Sequence, residues 1–190
     1  YDCLLVPGGF GERGVAGKIA VIKTAREKGI PFFGLCYGMQ LAVVEYARHV
    51  AGLKGAQTTE VSPKTPAPVI DILPEQRGKI AAADYGGSMR LGAYPAILAP
   101  ESIAARAYGT TEISERHRHR YEVNPDYVAV LEKAGLVFSG RSPDGRLMEI
   151  VELPKSRHPF FLGTQFHPEF KSTPLRPQPL FVAFLSASAT

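Results

Sequence analysis

Apolar residues in the first fifty positions fall into short continuous runs and into longer runs with helical spacing. Residues 2–6 and 31–35 are the continuous runs and predict two buried strands. Residues 18–28 and 37–50 carry apolar side chains every three or four positions, which predicts a helix in each, the first closed by Gly29. Apolar strands that alternate with helices indicate a three-layer α/β fold, in which helices cover both faces of a mostly parallel central sheet.

The remaining positions carry weaker patterns. Residues 53–76 are rich in Pro, Thr and Lys and predict a long surface loop, and the charged residues 113–123 are expected to lie over the sheet edge. The other predicted elements are a strand or hairpin at 87–98, strands at 136–138, 147–151 and 160–166, helices at 101–108, 124–134 and from 179 onward, a mobile loop at 11–17, and a loop or hinge at 78–84.

Length and composition predict one compact domain. The chain has 190 residues, of which 45% are hydrophobic and 19 are glycine, so it can bury a sizeable core. No apolar run approaches the roughly 18 residues that a membrane-spanning helix needs. The chain begins inside a strand pattern without an initiator Met. We therefore expect residues 1–190 to be one domain that is incomplete at its N-terminus and belongs to a longer protein.

Charge and cysteine content narrow the classes of function. The formal net charge is +4, and much of it lies in residues 115–120, without the interleaved aromatic residues that are typical of RNA-binding segments. Two cysteines are too few for a disulfide framework, and no Cys/His spacing suggests a metal site. A lone cysteine in a reactive setting fits a reducing cytoplasm, so we expect a cytoplasmic protein whose partners include neither nucleic acid nor a membrane.

The strongest chemical signal is a cysteine between two glycines. Gly34-x-Cys36-x-Gly38 has the spacing of a nucleophile elbow, a tight turn from a strand into a helix. Glycines permit such a turn because a Cβ would clash there. The turn places the sulfur at the carboxyl end of the strand, beside the first amides of the helix. Gly8 and Gly9 follow the preceding strand, so both turns are expected to share one site.

A catalytic triad can be completed from the last predicted strand. His167 ends that strand, and Glu169 follows it by two residues. A carboxylate that binds one ring nitrogen fixes the tautomer and leaves the other nitrogen free to take a thiol proton. We therefore predict that Cys36, His167 and Glu169 form a triad that attacks an acyl carbon. Two backbone amides, those of Tyr37 and Gly9, would hold the resulting oxyanion.

Each of these residues also has an ordinary structural explanation. A lone buried cysteine is more often a small core residue than a nucleophile. His167 alone would be a hydrogen-bonded histidine, Glu169 a surface charge, and the basic run a solvated face. The conjunction of an elbow, a second glycine turn and His-Pro-Glu at three strand ends favours the catalytic interpretation.

The motifs that carry this chemistry resemble known families. Residues 34–40 and 165–170 resemble the class I glutamine amidotransferases. Residues 7–14, 88–92, 115–124 and 168–174 are similar to the glutaminase domains of the CTP synthase family. The resemblance implies glutamine as the substrate, with Glu60 at its α-amino group and Arg120 near its α-carboxylate. The full set of implied glutamine-binding residues is Gly9, Tyr37, Gly38, Met39, Gln40, Glu60 and Arg120. Tyr37 stands where this family usually has leucine.

The resemblance also implies a reaction and its partners. Glutamine would be hydrolysed to glutamate and ammonia through a thioester on Cys36, with no cofactor or metal in this domain. A synthetase domain, which we expect outside this chain, would bind ATP, UTP and Mg²⁺ and use the ammonia to make CTP. The family further implies GTP as an allosteric activator, with residues 11–17 as a candidate responder, and a homotetrameric full-length protein. The isolated domain is expected to be weakly active or inactive.

Two other functions remain open from the sequence. A cysteine hydrolase of the same architecture could act on a peptide or γ-glutamyl bond. A binding module could instead use residues 116–120 to hold nucleic acid or a protein partner. Free glutamine needs both a carboxylate and a cation at its amino-acid end, so Glu60 and Arg120 separate the amidotransferase from the hydrolase. Salt-dependent RNA binding by an intact Cys36→Ala protein would indicate the binding module.

Overall fold

The computed structural model of the protein describes residues 1–72 and 89–189. The strands in these ranges are β1 (Leu4–Val6), β2 (Phe32–Leu35), β3 (Ala56–Thr58), β4 (Ala67–Asp71), β5 (Arg90–Leu98), β6 (Glu112–His119), β7 (Glu122–Val123), β8 (Val137–Arg141), β9 (Met148–Glu152) and β10 (Phe161–Thr164). The helices are α1 (Val15–Lys28), α2 (Tyr37–His49), α3 (Ile103–Tyr108), α4 (Val128–Lys133) and α5 (Pro179–Ser188), with short 3₁₀ helices at Pro125–Tyr127 and Pro168–Lys171.

The described strands form a seven-stranded sheet and a small three-stranded one. The large sheet has the order β1-β2-β10-β9-β8-β5-β6, and the small one has the order β3-β4-β7. In the large sheet β2 pairs in parallel with β1 and β10, whereas every pairing from β10 onward to β6 is antiparallel. The prediction of a mostly parallel sheet is therefore wrong for this half of the sheet. The links at 142–147 and 153–160 are too short for the crossover that a parallel pair needs, which is about a dozen residues or more.

Helices cover both faces of the large sheet, which confirms the three-layer α/β prediction. Consecutive residues of β2 point to opposite faces: Phe32 packs with α1 and α2, and Phe33 packs with α3 and α5. Phe161 and Leu162 of β10 divide in the same way. This alternation is the period of two that a strand imposes on its side chains.

Helix α2 lies at the centre of the molecule. All residues from 37 to 47 are buried, so the helix has no solvent face over that length. Its predicted apolar stripe is part of a wider buried surface, because α2 packs on β1, β2 and β10 on one side and on β3 and β4 on the other. Gly163 on β10 permits the close approach, since a Cβ there would lie 2.9 Å from the Cβ of Met39.

Several local predictions need correction. Strand β1 lies at the edge of the sheet and exposes Leu5, so it is not fully buried. Helix α1 starts at Val15, inside the predicted loop 11–17, after Gly14 in the left-handed conformation. The predicted loop 53–76 contains β3 and β4, and residues 73–76, like the predicted loop or hinge 78–84, lie outside the described residues. In the part of the chain that is described, no helix has the length and apolar character to cross a membrane.

The basic run lies on β6, at the edge of the large sheet opposite β1. Its side chains alternate: Arg116 and Arg118 are exposed, whereas His117 and His119 are buried. Residues 113–123 were predicted to lie over the sheet edge; instead residues 113–119 are part of the edge strand itself, and β7 at the end of the segment belongs to the small sheet. The strand period separates the arginines, which meet solvent, from the histidines, which enter the protein.

Candidate active site

Cys36 occupies the turn between β2 and α2 in the geometry that the elbow motif predicts. Its backbone has φ 48° and ψ −99°, a left-handed conformation that is costly for a residue with a side chain. The flanking glycines permit close packing of the turn. A Cβ on Gly34 would lie 2.7 Å from the carbonyl carbon of Gly38, and one on Gly38 would lie 2.1 Å from the carbonyl oxygen of Val6.

His167 and Glu169 form the predicted pair. Nδ1 of His167 lies 2.7 Å from Oε1 of Glu169, which stands in the 3₁₀ helix that Pro168 starts. A carboxylate can only accept there, so Nδ1 carries the proton and Nε2 keeps its lone pair. Nε2 is buried and has no hydrogen-bond partner among the described residues. The ring stacks on Phe170 at 4.8 Å, and a Cβ on Gly8 would lie 2.7 Å from its Cε1, so the first glycine turn makes room for the imidazole.

A cavity of about 420 Å³ joins the predicted residues. It brings together six that the sequence analysis singled out: Gly9, Cys36, Gln40, Glu60, Arg120 and His167. Phe10, Met89, Arg118, His119 and Tyr121 complete its lining. Its volume lies in the range of small-molecule sites, about 300–1,000 Å³.

Three of the residues implied for glutamine binding do not line this cavity with their side chains. Gly38 packs against Val6, and Met39 faces Gly163 in the core. Tyr37 turns its buried ring toward residues 7–11, the glycine loop that follows β1. Its hydroxyl donates there to the carbonyl oxygen of Gly11 at 2.5 Å. These positions are available to a ligand only through their backbone.

The glycine loop is held over the cavity at Gly11. The Gly11 N–H donates to Oε1 of Glu60 at 2.8 Å, and its carbonyl accepts from Tyr37. Burial, helped by the charge of Glu60, raises the pKa of Tyr37 to about 12, so the phenol stays protonated and remains a donor. Tyr37 therefore has a role in fixing this loop.

Burial controls the ionisation of Cys36. Desolvation raises the pKa of its thiol to about 12. The backbone N–H of Tyr37 opposes this shift, whereas the carboxylates of Glu122, Glu169 and Glu60 add to it. The thiol is therefore neutral near pH 7. A base must remove its proton as a substrate binds, and His167, whose Nε2 has no hydrogen-bond partner among the described residues, lines the same cavity.

A buried polar network beside the cavity was missed by the sequence analysis. Arg90 on β5 donates to Glu149 at 2.9 Å and to Glu122 at 3.4 Å. Burial raises the pKa of Glu122 to about 8 and lowers that of His117 to about 3. The alternation of histidine with arginine in 116–120 was the available signal, because in a strand it places both histidines on one face.

The hydrogen bonds of this network fix its histidine tautomers. Nδ1 of His119 lies 3.2 Å from the carbonyl oxygen of Tyr121, an acceptor, so Nδ1 carries the proton. Nε2 of His119 must then accept from Nδ1 of His117, 2.8 Å away. The lone pair on Nε2 of His117 is left facing Oε2 of Glu149 at 3.6 Å, and neither atom has another partner among the described residues. Burial raises the pKa of Glu149.

Comparison with known proteins decides the family. The model of the class-I glutamine amidotransferase family matches residues 1–187. The chain belongs to the class I glutamine amidotransferases. Among solved structures, the glutaminase domain of Trypanosoma brucei CTPS with bound acivicin is 42% identical with a TM-score of 0.91, over 99% of this chain and 71% of that one. A glutamine amidotransferase from Methylobacillus flagellatus is 17% identical with a TM-score of 0.55, over 88% of this chain and 52% of that one, and shares the fold.

Curated relatives of this amidotransferase are CTP synthases. Those of Pelotomaculum thermopropionicum and Methanocaldococcus jannaschii are 62% and 58% identical to it, each over 187 residues. The alignments cover 98% of this chain and 34% of each relative, so the chain spans about a third of the length of the relatives it matches. The resemblance to CTP synthase glutaminase domains is thereby confirmed, and a peptide or γ-glutamyl hydrolase is not favoured.

Proposed function

We propose that this domain hydrolyses L-glutamine to glutamate and ammonia through a thioester on Cys36. The observation that carries the proposal is the state of His167. Its Nδ1 is hydrogen-bonded to Glu169, and its buried Nε2 has no hydrogen-bond partner among the described residues. His167 and Cys36 line the same cavity. A nitrogen with a lone pair and a nearby thiol are the two groups that a cysteine amidase needs.

The first half of the reaction forms the thioester. Nε2 of His167 takes the Cys36 proton as the sulfur attacks the side-chain amide carbon of glutamine. The carbonyl oxygen becomes an oxyanion, which we assign to the backbone N–H groups of Tyr37 and Gly9. The imidazolium then gives its proton to the amide nitrogen, and the C–N bond breaks to release ammonia. Glu169 stabilises the imidazolium in both transfers.

The second half returns the enzyme to its starting state. Nε2 of His167 takes a proton from water, and the hydroxide attacks the thioester carbon. The C–S bond breaks, the sulfur regains the proton from the imidazolium, and glutamate leaves. The same histidine therefore acts as base and acid in each half, and atoms and charges balance without a cofactor.

Recognition of the amino-acid end is assigned to Glu60 and Arg120. Both line the cavity that holds the nucleophile. Glu60 would bind the α-amino group of glutamine and Arg120 its α-carboxylate. Glu60 also accepts the Gly11 N–H, so a bound amino group would join a carboxylate that is already oriented. Gln40 lines the cavity too, whereas Gly38 and Met39 are proposed to contribute through backbone alone.

The domain is proposed to serve a CTP synthase. Its curated relatives carry that name and are about three times as long. We assign ATP, UTP and Mg²⁺ to a synthetase domain of the same polypeptide, which would use the ammonia for pyrimidine nucleotide synthesis. Activation by GTP, a homotetrameric cytoplasmic protein and weak activity of the isolated domain complete the proposal.

Covalent trapping tests the function in the full-length enzyme. A glutamine-like chloroketone should alkylate Cys36 and stop ammonia release from glutamine, while synthesis from added ammonia continues. Cys36→Ala should behave in the same way without the reagent, and Cys3→Ser is the matched control, because Cys3 is a free thiol outside the cavity. If ammonia-dependent synthesis also stops in Cys36→Ala, the cysteine is structural. If a γ-glutamyl peptide is cleaved faster than glutamine, the assigned substrate is wrong.

A further inference from the structure

Gln165 contacts the reacting sulfur from inside the protein. It lies just after β10 and is fully buried. Its Nε2 is 3.7 Å from Sγ of Cys36, within the range of an N–H···S hydrogen bond. Gln165 does not line the cavity, so it reaches the sulfur through the core and cannot be a contact for the rest of the substrate.

The hydrogen-bond chain behind Gln165 decides which end of its amide faces the sulfur. The carbonyl oxygen of Tyr121 is an acceptor, and Nε2 of Gln40 lies 2.9 Å from it, so this end of Gln40 must be the NH₂ group. The same Nε2 lies 3.2 Å from the Gln165 amide, which must therefore present its oxygen to Gln40. The NH₂ group of Gln165 is left on the side of Cys36. A flip of either amide would place donor against donor or acceptor against acceptor.

We propose that Gln165 is a catalytic residue that stabilises the Cys36 thiolate by donating an N–H to Sγ, and that Gln40 holds it in that orientation. The proposal rests on the glutaminase function above, because only a reaction that passes through a thiolate needs such a donor. A hydrogen bond to a charged group is about twice as strong as one between neutral groups, so it favours the thiolate over the thiol.

The location of the donor explains why a buried thiol can react. Burial and three carboxylates disfavour the anion, and the Tyr37 N–H opposes them. Tyr37 N–H is also assigned to the oxyanion, so during attack it serves the substrate oxygen. Gln165 is held away from the cavity by Gln40 and remains on the sulfur throughout. When the C–S bond of the thioester breaks in the second half of the reaction, negative charge returns to the sulfur. Gln165 would donate to the sulfur at that step as well.

The test measures the thiol itself and does not depend on glutamine. In a Cys3→Ser background Cys36 is the remaining cysteine, since the chain has two. The rate of iodoacetamide alkylation is followed against pH for this parent and for Gln165→Met, which keeps the length of the side chain and removes the donor. The pH midpoint should rise by about one unit, so alkylation at neutral pH should be about tenfold slower. In the full-length enzyme, with glutamine as substrate, kcat of Gln165→Met should fall and KM should change little.

Gln178→Met is the matched control. Gln178 is also a buried glutamine with hydrogen bonds at both ends of its amide, but its partners are Tyr108, Glu115 and the Leu180 N–H. Its loss should lower the unfolding temperature and leave the alkylation profile of Cys36 unchanged. If Gln165→Met does not fold, Gln165→Glu replaces it. This variant keeps the shape and the acceptor for Gln40, and its charge should raise the thiol midpoint further.

The outcomes separate the two proposals. A profile in Gln165→Met or Gln165→Glu that coincides with that of the parent overturns the role of Gln165, whatever the activity. A raised midpoint supports it even if glutamine proves not to be hydrolysed, in which case the proposed function alone is lost. Equal shifts in Gln165→Met and Gln178→Met would mean that core disruption moves the thiol, and would also overturn the proposal.

Discussion

Among the histidine–carboxylate pairs of the described residues, His167–Glu169 and His117–Glu149 differ chiefly in burial. Glu169, the partner of His167, has 38% of its side-chain surface exposed, whereas Glu149, which faces His117, has none. The exposed carboxylate lies 2.7 Å from its histidine, and the buried one lies 3.6 Å away and is bound to Arg90. The same two chemical groups therefore occur once at the cavity and once inside the core.

The difference in solvent access separates the proposed catalytic pair from a supporting one. Glu169 is partly exposed beside the cavity and orients His167 through its Nδ1. Burial raises the pKa of Glu149 and lowers that of His117, so burial disfavours charge on both groups, and Glu149 has Arg90 as its cation. A free ring nitrogen suits the first pair, since a substrate can use it. The second pair holds β5, β6 and β9 together beside the site.

The largest expected effect is on activity and concerns His167. His167→Ala removes the base and should lower glutamine turnover by about 10²–10⁴-fold, while the unfolding temperature stays close to that of the parent. Steady-state ammonia release and a thermal melt measure both quantities. His158→Ala is the control, because His158 is buried outside the cavity and hydrogen-bonds backbone groups of Ala25 and Phe160. His158→Ala should lower the unfolding temperature and leave kcat unchanged. If it lowered kcat and left the unfolding temperature unchanged, the cavity would not separate a catalytic histidine from a structural one.

The next effect is on stability and concerns Arg90. Arg90→Met leaves Glu149 and Glu122 buried without their cation, which should lower the free energy of unfolding by about 3–5 kcal/mol. Urea unfolding measures the change. Arg116→Met provides the comparison, since Arg116 is an exposed arginine on the neighbouring strand and should stay within about 0.5 kcal/mol of the parent. Similar losses in both variants would show that the network adds nothing beyond a surface charge.

The smallest expected effect is on the pH dependence of stability, and it comes from the buried groups Glu122 and His117. Folding raises the pKa of Glu122 from 4.5 to about 8, so between these values the folded protein holds a proton that the unfolded chain releases. Stability from this group falls as pH rises through that window, by up to about 1.4 kcal/mol per pH unit. His117 acts oppositely: its lowered pKa costs stability as pH falls below 6.5. Arg90, Glu149 and His119 are the charged or titratable neighbours of this pair.

Glu122→Gln should remove the loss of stability between pH 6.5 and 8, and between pH 4.5 and 6.5 it should leave the opposite effect of His117 uncompensated. Urea midpoints of parent and variant at about pH 6.5 and 8 give the comparison. The parent should lose more stability between the two pH values than the variant does. Parallel losses would place the titration on another group.

Local signals in the sequence predicted the catalytic half of the site. The elbow glycines, Gly29 and His-Pro-Glu each act within a few residues, so their spacing was informative. Long-range features were not predictable in this way. The pairings of β2 with β10 and of β5 with β8 join strands that are far apart in the chain, and β3 and β4 are short and lie among prolines. Residues such as Glu149 and Gln165 looked like ordinary strand residues, because their role depends on neighbours more than 50 positions away.

The backbone of Cys36 has a consequence for how the protein tolerates change. At φ 48° the position suits glycine better than any residue with a side chain. Replacement by glycine would relax the turn and remove the sulfur in the same step. Folding and chemistry thus make opposite demands on one residue. Selection for thermal stability alone would favour a more stable protein that lacks the proposed nucleophile.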